Sequence, residues 1–340
     1  MDFAFPPDIF YNGRIVKKVN AIKYKGDLLN INNLSDTTIN IDNTEYYFTY
    51  LNIIDPYSKG GNSIIMKLFQ IEYFDENDPD FDAPDKIIKI LKYPIDFGEK
   101  AIHKRFNLEI EALNKCKEIQ DPSIVEIFDF GTCKLNVSGD KNKRKIKDYL
   151  YYTMEPADTD LSEYIKNNPN IDDVTRISLC TSITKGIMQL HKLGYYHRDL
   201  KPDNILVFGD NWKIADLGLI GHRDTNFDID RDNDLIGPKG WLSPESVNKW
   251  LCGDNDYKDQ HDCIIDDQSD IFQLGKLFCF IMQGNNPMGI LKIRDLNLNN
   301  NRMKHLIKKM LHYPKSSRAK NLHVILNLIK PIEQELLLHA

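Results

Sequence analysis

The sequence lacks a long apolar run, a leader-like N-terminus and any paired cysteine motif. No stretch approaches the roughly 18 apolar residues of a membrane span. The first residues (MDFAFPPDIFYNG) carry acid and proline where a signal peptide has positive charge. The six cysteines form no CxxC pair, and no histidine lies at metal-ligand spacing from any of them. We therefore expect reduced thiols and no structural zinc. These absences predict a cytoplasmic protein without a membrane segment.

An excess of positive charge is also missing. The formal net charge is -6, which argues against DNA or RNA as a partner. The most basic run, KNKRKIK at 141–147, lies between two strand-like segments and is interpreted as a solvated hairpin tip. With 340 residues, 41% hydrophobic and 28% charged, the chain has the composition of a globular protein of one large or two modest domains.

The chain divides into a β-rich first half and a helical second half. Short β-prone runs with turn residues between them occupy residues 1–50, and more strands are predicted up to residue 154, with one helix over Ala101–Lys117. Helical periodicity then dominates, beginning with Val174–Leu193. We therefore expect an α+β protein with a β-rich extension over 1–50, a β-rich lobe with one main helix over 51–155 and a mostly helical lobe over 156–340.

The most specific motif follows the long helix of the second half. Residues 197–204 read HRDLKPDN, a strand-like ILV run comes next, and Asp216-Leu217-Gly218 lies a short distance downstream. This ordered block resembles the protein kinase superfamily. The resemblance covers roughly residues 50–332. It implies a two-lobed kinase fold, ATP as the phosphoryl donor, Mg²⁺ as the cofactor and an unidentified protein as the substrate.

The resemblance assigns roles to the motif residues. Asp199 is expected to orient the attacking hydroxyl and accept its proton, with Lys201 near the γ-phosphate. Asn204 and Asp216 are the expected Mg²⁺ ligands, because that ion prefers hard oxygen donors. Lysine at position 201 is typical of serine/threonine kinases. Pro238, however, replaces the threonine usual in that class, whose hydroxyl bonds to the catalytic aspartate and lysine.

Two residues of the first half complete the expected catalytic set. Lys89, in the apolar run IIKIL, resembles the strand lysine that grips the α and β phosphates of ATP. Glu109, in the predicted helix, resembles its ion-pair partner and is preferred to Glu111 because Leu113 follows it four residues later. An incidental surface ion pair would produce the same residue pattern.

The glycine-rich phosphate loop of the family is only partly present. If Ile65 is the apolar residue that closes the loop, then Ser58, Gly60 and Ser63 stand where three glycines are expected. Gly60 and Gly61 can still form a turn whose N–H groups approach phosphates. A Gly-Gly pair is equally a hairpin turn. Gly60, Gly61, Ser63 and Ile65 are therefore expected at the ATP site through the resemblance alone.

The adenosine side of the ATP site is expected where the two halves of the sequence meet. Met154-Glu155-Pro156-Ala157 resembles the kinase hinge, with Met154 beside the adenine and the backbones of Glu155 and Ala157 facing its edge. Asp160 follows at a position suited to the ribose. An acidic residue that opens a helix is also a routine N-cap, so both interpretations of Asp160 stay open.

Three further features resemble the framework of a kinase. The run GPKGWLSPE over 237–245 resembles the end of an activation segment, and its Glu245 is expected to be buried and paired with Arg318. The run SDIFQLG matches the next family helix, where Asp270 would hold the backbone of the turn that begins at His197. Their order and spacing predict that the kinase fold continues to its C-terminal helices.

In the family that the sequence resembles, the arginine before the catalytic aspartate normally attracts a phosphate on the activation segment, and Arg198 occupies this position. The only hydroxyl between Asp216 and Leu242 belongs to Thr225. Several aspartates surround it, and we hypothesise that one of them stands in for a phosphate and keeps the protein active without modification. The candidates are Asp224, Asp228, Asp230, Asp232 and Asp234.

The resulting prediction is a serine/threonine protein kinase that can also phosphorylate itself. The competing interpretation is a pseudokinase, an ATP-binding scaffold without transfer, which the degraded glycine loop favours. Retention of Lys89, Asp199, Asn204 and Asp216 favours catalysis. A small-molecule kinase is disfavoured because such relatives usually lack the lysine after the catalytic aspartate. The extension over 1–50 is interpreted as an added β layer, with partner binding and autoinhibition as alternatives.

Overall fold

The structure is a computed structural model of the 340-residue chain. It describes residues 10–11, 14–15, 38–50, 62–70, 83–95, 100–138, 144–224, 229–230, 234–252, 260–285 and 292–339. These residues belong to two compact units, one within Met1–Ile110 and Glu126–Pro156 and the other within Glu111–Val125 and Ala157–Ala340. In the described ranges, no helix is long and apolar enough to cross a membrane.

The first unit is built on antiparallel strands. Two short strands, β1 (Phe10–Tyr11) and β2 (Arg14–Ile15), pair with each other. The main sheet contains β3 (Thr38–Ile41), β4 (Thr44–Tyr50), β5 (Ser63–Gln70), β6 (Lys86–Pro94), β7 (Ile127–Ser138) and β8 (Arg144–Met154). Its order is β3-β4-β5-β6-β8-β7, so β6 lies in the middle with β5 and β8 on either side.

Local sequence explains these strands. Alternate residues of β5 are buried, as its Ile64, Met66 and Leu68 show, because the pleat sends successive side chains to opposite faces. The central strand β6 is buried along almost its whole length. Asp42 and Asn43 have φ values of 49° and 63°, the backbone of a tight two-residue hairpin turn between β3 and β4.

Helix α1 (Ala101–Glu118) follows β6. Phe106 packs against Tyr152 of β8 with ring centroids 5.6 Å apart, which docks the first part of the helix on the sheet. Lys115 and Lys117 lie in its last turn, where positive charge is favourable near the C-terminal end of the helix dipole. The packing of Phe106 fixes the rotation of α1, and with it the face that carries Glu109.

Helices dominate the second unit: α2 (Leu161–Asn167), α3 (Asp173–Lys192), α4 (Pro244–Leu251), α5 (Asp267–Gln283), α6 (Asn301–Met310) and α7 (Leu322–His339). Side-chain oxygens of Asp160, Asp172, Ser243, Asp266 and Asn300 accept backbone hydrogen bonds at the N-termini of the first five. Thirteen consecutive residues of α5, Ser269–Ile281, are buried. That helix is therefore the centre of the second unit, and it ends at Gly284 in a left-handed conformation.

Short strands hold the segments between the helices. The strands β9 (Thr159–Asp160), β11 (Ile205–Phe208) and β12 (Asn211–Ile214) form one small sheet. A second pair consists of β10 (Tyr195–Tyr196) and β13 (Gly221–His222). Residues 197–204 consequently run from β10 to β11, and residues 215–220 run from β12 to β13. Both motif segments are tied to a strand at each end.

The α+β architecture, with a sheet-rich unit and a helix-rich unit, agrees with the prediction from the sequence. Two details differ. The hairpin β7–β8 is longer than predicted, because residues 144–147 of the basic run continue β8 and Lys147 is buried, whereas residues 141–143 lie outside the described ranges. Within the 1–50 extension, β3 and β4 join the main sheet, whereas β1 and β2 form a separate pair. The domain boundaries at 50 and 155 stay predictions, and the division observed in the chain follows Pro156.

Candidate active site

The loop over residues 197–204 is held by its own side chains. His197 is fully buried, its Nδ1 lies 3.2 Å from the backbone nitrogen of Asp199, and its Nε2 lies 3.3 Å from the carbonyl oxygen of Ala215. Burial lowers the pKa of His197, although neighbouring carboxylates raise it. A neutral ring that accepts at Nδ1 and donates at Nε2 satisfies both contacts, so His197 joins this loop to the segment after β12.

The carboxylate of Asp199 is 7% exposed and lies among donors from its own loop. Its Oδ2 accepts hydrogen bonds from Asn204 at 2.8 Å and from Lys201 at 3.1 Å. Burial raises the pKa of Asp199, and the charge of Lys201 opposes that increase. The loop therefore holds a carboxylate in a fixed orientation and presents a cation beside it.

Asn204 and Asp216 supply the oxygen donors that a magnesium ion would need. The amide nitrogen of Asn204 also donates to the backbone oxygen of Asp199 at 2.8 Å, which leaves its Oδ1 as the ligand atom. Asp216 has a φ of 56°, and the next residue, Leu217, is fully buried. In the described ranges, no group of three or more His, Cys, Asp or Glu side chains could hold a metal ion. The carboxylate of Asp216 and the amide oxygen of Asn204 fit Mg²⁺, which proteins bind through one or two carboxylates plus substrate phosphates and water.

The first unit contains a buried ion pair. The Nζ atom of Lys89 on β6 lies 2.7 Å from Oε1 of Glu109 on α1, and the two side chains are only 6% and 1% exposed. Tyr152 on β8, directly opposite Lys89, donates its hydroxyl to the same Oε1 at 2.9 Å. Glu111, the alternative, is half exposed and pairs with Lys115 at 2.7 Å. The incidental surface pair considered from the sequence is therefore excluded for Lys89 and Glu109.

The residues predicted near the nucleotide are only partly described. Gly60 and Gly61 lie outside the described residues. Ser63 and Ile65 lie at the start of β5, where Ile65 is directly opposite Lys89 in the sheet. The start of β5 therefore lies next to the ion-paired lysine, and the phosphate loop before it stays a prediction.

The hinge residues follow the end of β8. Met154 is its last residue and is buried. The next residue, Glu155, donates its backbone N–H to the carbonyl of Glu126 at 3.1 Å and accepts the N–H of Glu126 on its carboxylate at 2.7 Å. In the second unit, Ala157 comes just before β9, and Asp160 caps α2 by accepting the N–H of Glu163 at 3.0 Å. The cap predicted as one interpretation of Asp160 is thus present.

A family profile described as "Protein kinase domain" matches residues 86–331. The chain belongs to the protein kinase family. The match includes Lys89, Glu109 and both motif segments of the second unit, and it begins after β5, so it leaves out the residues of the degraded glycine loop.

Curated relatives of this kinase match part of it at low identity. The dual specificity protein kinase TTK of Mus musculus is 22% identical over 203 residues, which are 59% of this chain and 22% of the relative. The serine/threonine-protein kinase cds1 of Schizosaccharomyces pombe is 29% identical over 207 residues, 59% of this chain and 39% of the relative. A probable serine/threonine-protein kinase of Clostridium acetobutylicum is 32% identical over 162 residues, which are 47% of this chain and 22% of the relative. The chain thus spans between about a fifth and two fifths of the length of these relatives.

Two buried carboxylates organise the framework of the kinase. Asp270 on α5 accepts the backbone N–H groups of His197 and Arg198 at 2.8 Å each. Glu245 on α4 accepts a two-pronged hydrogen bond from Arg318 at 2.7 and 2.8 Å. Burial raises the pKa of Glu245, but its hydrogen bonds with Arg318 outweigh burial and leave the pKa below its usual value. Both contacts are those that the resemblance to protein kinases implied.

Arg198, which precedes Asp199, has a carboxylate partner. Arg198 forms an ion pair with Asp230, and their side chains are 9% and 1% exposed. A Cβ at Gly221 would lie 2.0 Å from Cζ of Arg198, so only glycine leaves room for the guanidinium there. Thr225 lies outside the described residues. Of the five aspartates considered from the sequence, Asp224, Asp230 and Asp234 are described, and among these Asp230 forms the ion pair with Arg198; Asp228 and Asp232 lie outside the described residues.

Three residues of the site were not singled out from the sequence. Tyr152 could have been found from the alternation of β8, which points it to the same side as Lys89. His191 adds a 2.8 Å contact with Asp270, and Gln273 bonds to the backbone around Asp199. These two contacts join residues more than 70 positions apart, and none of the motifs quoted from the sequence assigns a role to either side chain.

Proposed function

We propose that this chain is a serine/threonine protein kinase that transfers the γ-phosphoryl group of ATP, with Mg²⁺, to a hydroxyl of another protein. The observation that carries the proposal is the loop in which Lys201 and Asn204 both contact the buried carboxylate of Asp199, at 3.1 and 2.8 Å. Two of the curated relatives are named serine/threonine-protein kinases, which supports that acceptor class. A third is named a dual specificity kinase.

Phosphoryl transfer depends mainly on position and charge. Asp199 would accept a hydrogen bond from the acceptor hydroxyl, orient its oxygen towards the γ-phosphate and take up its proton. Burial raises the pKa of this carboxylate, which makes it a better base, while Lys201 favours the ionised form that the reaction needs. The ammonium of Lys201 would also stabilise negative charge on the transferred group.

The resemblance to protein kinases also assigns residues to the nucleotide. Lys89 would bind the α and β phosphates, and Glu109 would keep its ammonium in place. Asn204 and Asp216 would hold Mg²⁺, which when bound neutralises charge on the phosphate oxygens. Met154, Glu155, Ala157 and Asp160 would contact adenine and ribose, with Gly60, Gly61, Ser63 and Ile65 over the phosphates.

The acceptor class rests on Lys201 and on the names of the relatives. Pro238 offers neither a hydroxyl nor an N–H to the catalytic loop, so the restraint that threonine gives in other serine/threonine kinases is absent. Serine and threonine acceptors are proposed on balance, with autophosphorylation as the activity most easily measured.

The test is transfer of labelled γ-phosphate from Mg-ATP to the protein itself and to a generic basic protein. Asp199→Asn removes the base, and Asp210→Asn, an exposed residue in the turn between β11 and β12, is the matched control. We expect label on serine or threonine in the wild type and in Asp210→Asn, with a loss of at least about a hundredfold in Asp199→Asn. Bound ATP without any label in the wild type would contradict the proposal and indicate a pseudokinase. Label on tyrosine alone would contradict the acceptor class.

We also propose that Asp230 stands in for the activating phosphate of the activation segment. A carboxylate paired with Arg198 and buried to 1% exposure supplies the negative charge that a phosphorylated residue would otherwise bring. The ion pair anchors the segment next to the loop that carries Asp199. The protein would therefore be active as synthesised, without modification of Thr225.

The stand-in role is tested by steady-state transfer with Asp230→Asn, Asp224→Asn and Thr225→Ala. Asp224 is exposed and lies in the same segment, so it controls for loss of one negative charge. We expect Asp230→Asn to lower activity by about tenfold or more, and the other two variants to retain it. If Thr225→Ala abolished activity and Thr225→Asp restored it, a phosphate on Thr225 would be required and the stand-in role would be wrong.

A further inference from the structure

Helix α5 holds the catalytic loop through two side chains one turn apart. Asp270 accepts the N–H groups of His197 and Arg198. Gln273, which is 1% exposed, accepts the N–H of Leu200 on its Oε1 at 3.1 Å and donates its Nε2 to the carbonyl oxygen of Arg198 at 2.9 Å. Residues three apart on a helix share a face, so both side chains reach the same loop.

The two bonds of Gln273 join the peptide groups on either side of Asp199. The carbonyl of Arg198 belongs to the peptide that precedes the Cα of Asp199, and the N–H of Leu200 belongs to the peptide that follows it. The side-chain amide of Gln273 therefore fixes both peptide groups that flank Asp199, the proposed base. The side chain of Asp199 can then rotate only about its own bonds, while its Cα stays at a set distance from α5.

This region of the backbone needs such a restraint. Arg198 has a φ of 66°, a conformation that residues other than glycine adopt rarely and only when their surroundings impose it. Asp270 holds its N–H, and Gln273 holds its carbonyl oxygen. The strained residue is thus fastened at both ends by one helix.

The segment that would border the acceptor passes directly beside the Gln273 bond. Gly237 has a φ of 113°, and a Cβ on it would lie 3.0 Å from the Arg198 carbonyl oxygen and 3.2 Å from Nε2 of Gln273. Pro238 follows without any donor for the loop. Near Gly237, the loop that carries Asp199 is joined to α5 by the side-chain amide of Gln273.

We propose that Gln273 is a positioning residue that sets the location of Asp199 for phosphoryl transfer. The inference rests on the proposed kinase function, because it assigns a role in that reaction. A displacement of the base by about 1 Å is enough to lower a rate by about a hundredfold, so loss of both bonds should act on turnover. Nucleotide binding, which depends on other residues, should change little.

The main variant is Gln273→Met, which keeps the length of the side chain and removes both hydrogen bonds. Gln273→Glu is the second variant. It retains an acceptor for the Leu200 N–H but, when ionised, has no proton for the Arg198 carbonyl, and it serves if the methionine variant does not fold. Gln268→Met and Gln268→Glu are the matched controls, since Gln268 lies on the same helix and donates to the carbonyl of Lys320.

The measurement is kcat and KM for ATP, expressed per nucleotide-binding site counted by titration with a fluorescent ATP analogue. We expect kcat to fall by about tenfold or more in the Gln273 variants, with KM within about twofold of the wild type, and both Gln268 variants to keep wild-type kcat. A purely structural role would reduce the number of binding sites and leave kcat per site unchanged, which would overturn the inference. A wild type without transfer would overturn the proposed function as well, whereas an active wild type with equally active Gln273 variants would overturn this inference alone.

Discussion

The ion pair between Lys89 and Glu109 can be tested against a pair on the same helix. Glu109→Gln keeps the size of the side chain and an acceptor for the Tyr152 hydroxyl, but it removes the negative charge. Glu111→Gln makes the identical chemical change two residues later, where the side chain is 48% exposed and pairs with Lys115. The two glutamates differ in burial and in the partner cation, and each also accepts a hydrogen bond from a tyrosine hydroxyl, Tyr152 for Glu109 and Tyr195 for Glu111.

The magnitudes follow from burial. The side chains of Lys89 and Glu109 are 6% and 1% exposed, so Glu109→Gln removes the negative charge from a buried ion pair, a change that costs about 3–5 kcal/mol. An exposed pair four residues apart on a helix contributes about 0.3–0.5 kcal/mol, which is the expected limit for Glu111→Gln. At about 2–4 °C per kcal/mol, the Tm should fall by roughly 6–20 °C in the first variant and by less than about 2 °C in the second.

The assay combines thermal unfolding with transfer kinetics. We expect Glu109→Gln to raise KM for ATP and lower kcat, because the ammonium of Lys89 loses the group that fixes it, and Glu111→Gln to behave as the wild type. A double variant, Lys89→Met with Glu109→Leu, replaces the buried pair by apolar side chains and should recover much of the stability without recovering activity. This variant separates the structural cost from the functional one.

Equal effects of Glu109→Gln and Glu111→Gln on Tm and on kcat would refute the reasoning, since burial then would not decide which glutamate matters. Recovery of activity in the apolar double variant would refute the role of Lys89 in phosphate binding, because no cation would remain at that position.

Two other pairs give predictions with a defined sign. Lys201→Met removes a cation that lowers the pKa of Asp199, so the acidic limb of the kcat/KM profile should move to higher pH. Lys201→Arg keeps a cation and should leave the limb in place. A shift of the limb to lower pH in Lys201→Met would contradict this reasoning. Arg318→Met removes the cation that Glu245 pairs with, so urea unfolding should show a loss of about 3–5 kcal/mol. A loss under about 1 kcal/mol would contradict this. The pKa of Glu245 is lower in the folded state than in the unfolded state, so ionised Glu245 stabilises the fold above about pH 4.3, and this stabilisation is lost as the pH falls further. Measuring the free energy of unfolding at decreasing pH checks this.

Much of the protein was predictable because its signals are local or ordered along the chain. The helix predicted over Ala101–Lys117 is observed as Ala101–Glu118, since apolar spacing and the absence of breakers act within a few turns. Short strand pairs were located less well. The hairpin β7–β8 extends through a basic run, because pairing along a ladder and the cover of neighbouring strands outweigh local polarity.

The sequence by itself determined the family, the α+β class and the order of the motif residues, because these depend on residue types at fixed spacings. The tertiary structure alone decided which aspartate pairs with Arg198 and which side chain of α5 holds the peptide groups around Asp199. Asp230 was one of five equivalent aspartates until the fold placed it against Arg198, and Gln273 was an ordinary helix residue until it met the backbone 75 positions away. Such contacts depend on how elements pack and on which polar groups must be satisfied once buried, and neither is encoded in a local pattern.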